Sequence, residues 1–222
     1  MQIVRHAPIK KTIFLIIGTV ILYAICFLWL DRPLAYWIQQ EFSNGDVWCK
    51  IGFAIQHIAK PSHWFLVGVA AAIVGSVLAY RKSEHAKAWL LFGVSLVITF
   101  VVCGVLKLLL GRYRPEDLFL HHLYGFHSLA ILDDSGSPSG HTAMAFAAAL
   151  SLGMIWSKRW LTTILLLLAA LIGIFRLVIN AHYLGDVVLA VYIGTLCVYW
   201  AQWILSRCSR LSGCPEHKKI DG

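Results

Sequence analysis

A chain of 222 residues that is 59% apolar and only 14% charged is too oily for an ordinary water-soluble domain, where about 45–50% apolar and about 25% charged residues are usual. Lipid is the solvent this composition fits, and the length suits one membrane domain. The net charge of +8 would admit nucleic acid as a partner, but the basic residues cluster in short segments between long apolar runs, a pattern that faces anionic headgroups; no nucleic-acid-binding motif is present, and no such partner is expected.

Six apolar stretches follow one another, at residues 13–30, 64–80, 88–110, 139–156, 161–179 and 184–205, each near the ~20 residues a helix needs to cross hydrocarbon. The first, preceded by Arg5, Lys10 and Lys11, is longer than the ~7–15 residues of a signal core and ends at Asp31-Arg32-Pro33 without a small-x-small cleavage site, so it reads as a retained transmembrane helix. Residues 34–60 are apolar but broken by Gln39, Gln40, Glu41, Asp46, Lys50 and Gln56. They read as an amphipathic helix at the membrane surface, anchored by Trp37 and Trp48, with an ordinary loop as the alternative. The fold class is therefore all-α: a polytopic membrane protein with six transmembrane helices plus an interfacial helix, forming a single membrane-embedded domain over 1–222 with a cytoplasmic tail at 206–222.

The connections alternate in charge. The N-terminus, the 81–87 connection, Lys158-Arg159 and the tail hold twelve Lys and Arg residues, against five in the alternate set. The positive-inside rule puts the first set, with both termini, in the cytoplasm and the other set outside.

The outward connections carry three clusters: Lys107 with Arg114-Pro115, Pro138-Ser139-Gly140-His141, and Arg176 with His182 and Asp186. Seven residues apart, Lys107 and Arg114 would share one face of a helix and could address one anion; Arg112 is a further candidate but lies off that face. Snorkelling to the interface is the other reading for Lys107 and Arg176 taken singly. Ser139 suits an N-cap, and free N–H groups at a helix start with a flexible Gly140 make either an anion site or a plain cap. Asp186, four residues after His182, could fix the imidazole tautomer for nucleophilic attack, or the two could be a mutually satisfied structural pair. Nucleophile, cations and a spare acid, His141, are the parts phosphoryl transfer requires.

In this order Lys-x6-Arg-Pro, Pro-Ser-Gly-His and Arg-x5-His-x3-Asp, spanning Lys107 to Asp186, resemble the signature of the type 2 phosphatidic acid phosphatase superfamily, whose membrane branch contains the lipid phosphate phosphatases. The resemblance implies that Lys107, Arg114 and Arg176 bind the phosphoryl group, with added hydrogen bonds from Ser139 and Gly140, partly through backbone N–H. It implies that His141 is the general acid, that His182 attacks to form a phosphohistidine, that Asp186 orients it, and that no metal or other cofactor is needed. Phe175 stands where the family usually has serine.

Four lipids fit such a site: undecaprenyl pyrophosphate, phosphatidylglycerol phosphate, phosphatidic acid and a lipid A phosphate. A compact bacterial inner-membrane enzyme facing the periplasm is the expected setting; the alternative is a non-catalytic lipid-phosphate-binding protein or transporter. Oligomeric state is not legible. His121, His122 and His127, with Glu116, Asp117, Asp133 and Asp134, match no standard metal spacing and read as a loop that contacts a headgroup or caps the site. Tyr113, Phe119, Tyr124 and Phe126 could dip into the interface beside it. Cys26, Cys103 and Cys197 lie in apolar runs, Cys49 in a loop, and Cys208 and Cys214 in the tail; all read as unpaired thiols.

Overall fold

The computed structural model describes residues 9–42, 46–127 and 135–211. Helix α1 (Ile9–Ile25) passes through a π-helical segment (Cys26–Leu30) into α2 (Asp31–Glu41). Pro33, with no N–H to donate, falls in the first turn of α2, where a missing donor costs least. The first apolar stretch therefore does not end at residue 30 but continues as helix to Glu41. Next come α3 (Val47–Ile58), α4 (Pro61–Tyr80), α5 (Ala86–Leu110), α6 (Pro115–His121), α7 (Gly140–Trp156), α8 (Arg159–Val178) and α9 (Leu184–Leu211). The described residues form no strand, and the class is all-α as expected.

Helical runs Thr12–Glu41, Val47–Tyr80, Ala86–Leu110, Arg159–Val178 and Leu184–Cys208 are long and apolar enough to cross a membrane. Helix α7, with 17 residues, is shorter: at about 1.5 Å per residue it covers about 25 Å. Residues 34–60 are helical on both sides of the undescribed 43–45, forming the end of α2 and all of α3, and Trp37 and Trp48 are exposed. Cys49 lies inside α3 and is buried, not in a loop. Helix α9 continues through the start of the expected tail, to Leu211; Cys214 lies outside the described residues.

Helix α7 is the central element. Met144, Ala147 and Ala148 are buried with Leu96 of α5 and Val198 of α9, and Ala143 with Cys103 of α5 and Ile193 of α9. Where lipid removes the hydrophobic drive between helices, close packing of small residues holds them together. A Cβ added at Gly194 of α9 would lie 2.4 Å from the Ala143 carbonyl oxygen, and one at Gly93 of α5 would lie 2.4 Å from the Ala72 nitrogen of α4. Two buried hydroxyls in these helices are satisfied locally: Ser95 donates to the Leu91 carbonyl at 2.6 Å and Ser151 to that of Ala147 at 2.7 Å.

This antiparallel order brings the C-termini of α5 and α8 and the N-termini of α7 and α9 to one end. The α4–α5 and α7–α8 turns, with Arg81, Lys82, Lys158 and Arg159, lie at the other. Gly93→Val should lower stability by about 1–3 kcal/mol, the usual cost of overpacking. Gly18→Ala, with nothing within 4 Å of the added carbon, should be neutral or stabilising through helix propensity. Thermal unfolding in detergent checks the pair; equal midpoints would contradict the close α4–α5 packing.

Candidate functional site

Lys107 sits in the last turn of α5, which Gly111 ends in the left-handed region (φ 51°) with its N–H on the Lys107 carbonyl at 3.1 Å. No other residue fits there, since a Cβ at Gly111 would lie 2.0 Å from the His127 carbonyl oxygen. Arg114 consequently is not on the helix of Lys107, and the expected shared face does not exist. It stands just before α6, where its N–H donates to Asp117 Oδ2 at 2.8 Å.

Ser139 occupies the N-cap position of α7, but its hydroxyl pairs with that of Thr142 at 3.0 Å instead of capping the backbone. Its N–H donates to the Asp186 carbonyl at 3.2 Å. Arg176 ends α8 and is only 4% exposed.

These turns enclose a cleft of about 1180 Å³ bordered by Lys107, Arg114, Gly140, His141, Arg176 and His182. Ser139 and Asp186 do not border it. The lining also holds the apolar side chains Phe53, Phe100, Met144 and Ile179, the charged Lys60 and Glu116, and the neutral polar Gln39, Gln56 and Asn180. A surplus of cationic groups together with apolar side chains in one cleft matches an anionic amphiphile.

His182 is 4% exposed, and its Nδ1 lies 2.6 Å from the Gly136 carbonyl oxygen. A carbonyl only accepts, so Nδ1 carries the hydrogen and Nε2 the lone pair. Burial pushes the imidazole well below its ordinary pKa, and Arg176, Lys107 and Arg114 push it the same way. A neutral ring with a lone pair beside three cations can attack an anion that those cations draw in.

Asp186 is not hydrogen-bonded to His182: Oδ2 is 3.9 Å from Nδ1. That oxygen accepts the Tyr183 N–H at 2.8 Å, and Oδ1 accepts Arg112 Nη1 at 2.6 Å. The orienting contact expected of Asp186 is thus made by the Gly136 carbonyl.

Arg112, the further candidate off the Lys107 face, is fully buried. Its Nη2 donates to Asp31 Oδ2 at 2.5 Å, and Asp31 Oδ1 accepts the Gly185 N–H at 2.9 Å. The guanidinium carbon lies 4.6 Å from the Tyr183 ring centre and 5.2 Å from that of Phe27. Burial opposes its charge, but Asp186, Tyr23 and Asp31 outweigh it and hold the group protonated above its ordinary pKa. A sequence signal for this hub did exist: Asp31, a carboxylate at the end of an apolar run, required a partner.

Two aromatics of the loop pack on Phe27 of the π-helical segment, although Phe126 stays exposed. Tyr124 stacks on Phe27 at 4.9 Å and donates its hydroxyl to the Phe27 carbonyl at 2.5 Å, and Phe126 stacks on the same ring at 5.2 Å. Asp133 and Asp134 lie outside the described residues. Phe175 is 7% exposed beneath α3, where a Cβ at Gly52 would sit 3.5 Å from its ring.

The family model described as the PAP2 superfamily matches residues 88–210 of this chain. A Lipid A 4'-phosphatase of Bacteroides thetaiotaomicron is 33% identical over 129 residues, covering 51% of this chain and 53% of that protein. The chain thus spans about half the length of the curated relative it matches. The crystal structure of a transmembrane PAP2-type phosphatidylglycerolphosphate phosphatase from Bacillus subtilis is similar in fold, with TM-score 0.56 at 19% identity, over 95% of this chain and 98% of that one.

The depressed pKa of His182 has a readable sign. The folded ring refuses a proton that the unfolded chain accepts below about pH 6.5, so stability is lost as pH falls through and below that value. Nitrogen-edited NMR of the folded protein should show His182 neutral at pH 6.5, with inorganic phosphate raising its titration point by cancelling the nearby positive charge. Half-protonation at pH 6.5 without phosphate would contradict the geometry.

Proposed function

Because the chain belongs to the PAP2 superfamily, whose model covers more than half of it, we propose that it is a membrane phosphatase removing phosphate from a lipid, with His182 Nε2 as the nucleophile. The observation that carries this is His182, its Nδ1 held by the Gly136 carbonyl, in one cleft with Lys107, Arg114 and Arg176 and with apolar side chains.

In the reaction, Nε2 attacks phosphorus in line, forming a P–N bond as the P–O bond to the lipid breaks. The cations neutralise the equatorial oxygens, and Gly140 at the start of α7 allows close backbone approach. His141 protonates the leaving oxygen, then takes a proton from the water that cleaves the P–N bond and frees inorganic phosphate. The Gly136 carbonyl stabilises the positive ring during the P–N stage, with Asp186 3.9 Å away as an electrostatic partner. The chemistry runs without a metal, since guanidinium and ammonium groups supply the positive charge.

All four lipids named above remain compatible, and the curated relative favours a lipid A phosphate among them. The chain is a single domain of the bacterial inner membrane, with α7 as a sixth crossing, the α2–α3 segment at the interface, both termini cytoplasmic and the cleft toward the periplasm. The uneven spread of Lys and Arg between the two sets of connections supports that orientation.

His182→Ala should cut phosphate release from the preferred lipid by at least about 10³-fold while membrane insertion and phosphate binding persist. Chelation with EDTA should leave wild-type turnover unchanged. Assay of purified protein against the four lipids reads all of this; unaltered turnover in His182→Ala would leave a binding protein or transporter as the better reading.

A further inference from the structure

Gln56 lies on α3, outside both the family match (88–210) and the three sequence motifs, yet it meets two residues of the site at once. Its side-chain Oε1 accepts a hydrogen bond from Arg176 Nη1. Its main-chain carbonyl accepts from His141 Nε2 at 3.1 Å. Helix α3 is held in place for this by its packing on α8. Gly52, one turn before Gln56, faces Phe175 and Ile179 so closely that a Cβ would lie 2.5 Å from Ile179 Cγ2, and Cys49 Sγ reaches the Val178 carbonyl at 3.9 Å.

Each contact removes an ambiguity. A guanidinium offers several donors, and an acceptor on Nη1 leaves the side-on fork of Nε–H and Nη2–H for an anion. Arg176 Nε is buried and has no hydrogen-bond partner among the described residues, a cost that a bidentate phosphoryl contact would relieve. On His141, a carbonyl on Nε2 requires the hydrogen to be there, so Nδ1 is the remaining nitrogen for proton exchange.

We propose that Gln56 is a positioning residue for phosphoryl transfer: it presents the side-on fork of Arg176 to the phosphoryl group and holds His141 by Nε2–H, so that the imidazolium form of His141 gives its Nδ1 proton to the leaving oxygen, keeps Nε2–H as the neutral ring, and regains the Nδ1 proton from the attacking water. This rests on the phosphatase reading above and extends it to a helix beyond the motifs.

The test is a mutant cycle in the full-length protein in detergent, with inorganic phosphate as the probe in calorimetry and lipid turnover measured in parallel. Gln56→Leu keeps the main-chain carbonyl and removes only the side-chain acceptor. It should weaken phosphate binding by about 10-fold with an unchanged unfolding midpoint, and by less than about 2-fold when Arg176 is already lysine, which has no fork to orient. Gln56→Asn, which keeps the amide but not its reach, should behave like Leu and serves if the Leu variant misfolds. Equal losses in the Arg176 and Lys backgrounds, or no loss, in a wild type that binds phosphate and turns lipid over would overturn this inference alone. A wild type that does neither would overturn the phosphatase reading and this inference with it.

Discussion

One guanidinium, that of Arg112, sits between two buried carboxylates, Asp31 and Asp186, and the site is built around that arrangement. The pairs join the start of α2, the loop after α5 and the start of α9, segments far apart in the chain. Asp31 also takes the Gly185 N–H, and the Asp186 carbonyl takes that of Ser139, so the same hub sets the starts of α9 and α7 relative to each other. Removing one partner of a buried ion pair strands the other, typically at about 3–5 kcal/mol. Tyr183, Phe27 and Tyr124 cover the guanidinium and exclude water from it.

The hub has a chemical consequence at His182. A carboxylate hydrogen-bonded to Nδ1 would favour the imidazolium, whose Nε2 has no lone pair to attack with. Commitment of Asp186 to Arg112 and to the Tyr183 N–H leaves Nδ1 to a neutral carbonyl, that of Gly136. The tautomer is fixed without adding negative charge to the ring. The nearby cations then act in two ways: they disfavour protonation of His182, and they attract the anion it would attack. Their place at helix ends, in one cleft with apolar side chains, lets charge and lipid chain share that cleft at low insertion cost.

Helix spans were legible because length and apolarity are local properties: residues 88–110 and 161–179 correspond to Ala86–Leu110 and Arg159–Val178. The meeting of Lys107, Arg114, His141, Arg176 and His182 at one end was legible from the alternation of connections alone. What failed depended on single backbone turns or long-range partners. Gly111 in the left-handed region ends α5 between Lys107 and Arg114, so a seven-residue spacing that reads as one helical face is a helix end plus a loop. Arg112 and Asp31 are 81 positions apart, and Gln56 and Arg176 are 120 apart; no local pattern marks either pair. The Gly136 carbonyl is a main-chain group and leaves no trace in residue type.

The most direct measurement is the site of phosphorylation on the trapped intermediate. Rapid alkaline quench during turnover, followed by phosphorus NMR of the isolated peptide containing His182, distinguishes phosphate on Nε2 from phosphate on Nδ1. With Nδ1–H held by Gly136, the adduct should be on Nε2 alone. Phosphate on Nδ1, or turnover with no phosphorylated histidine, would contradict the account.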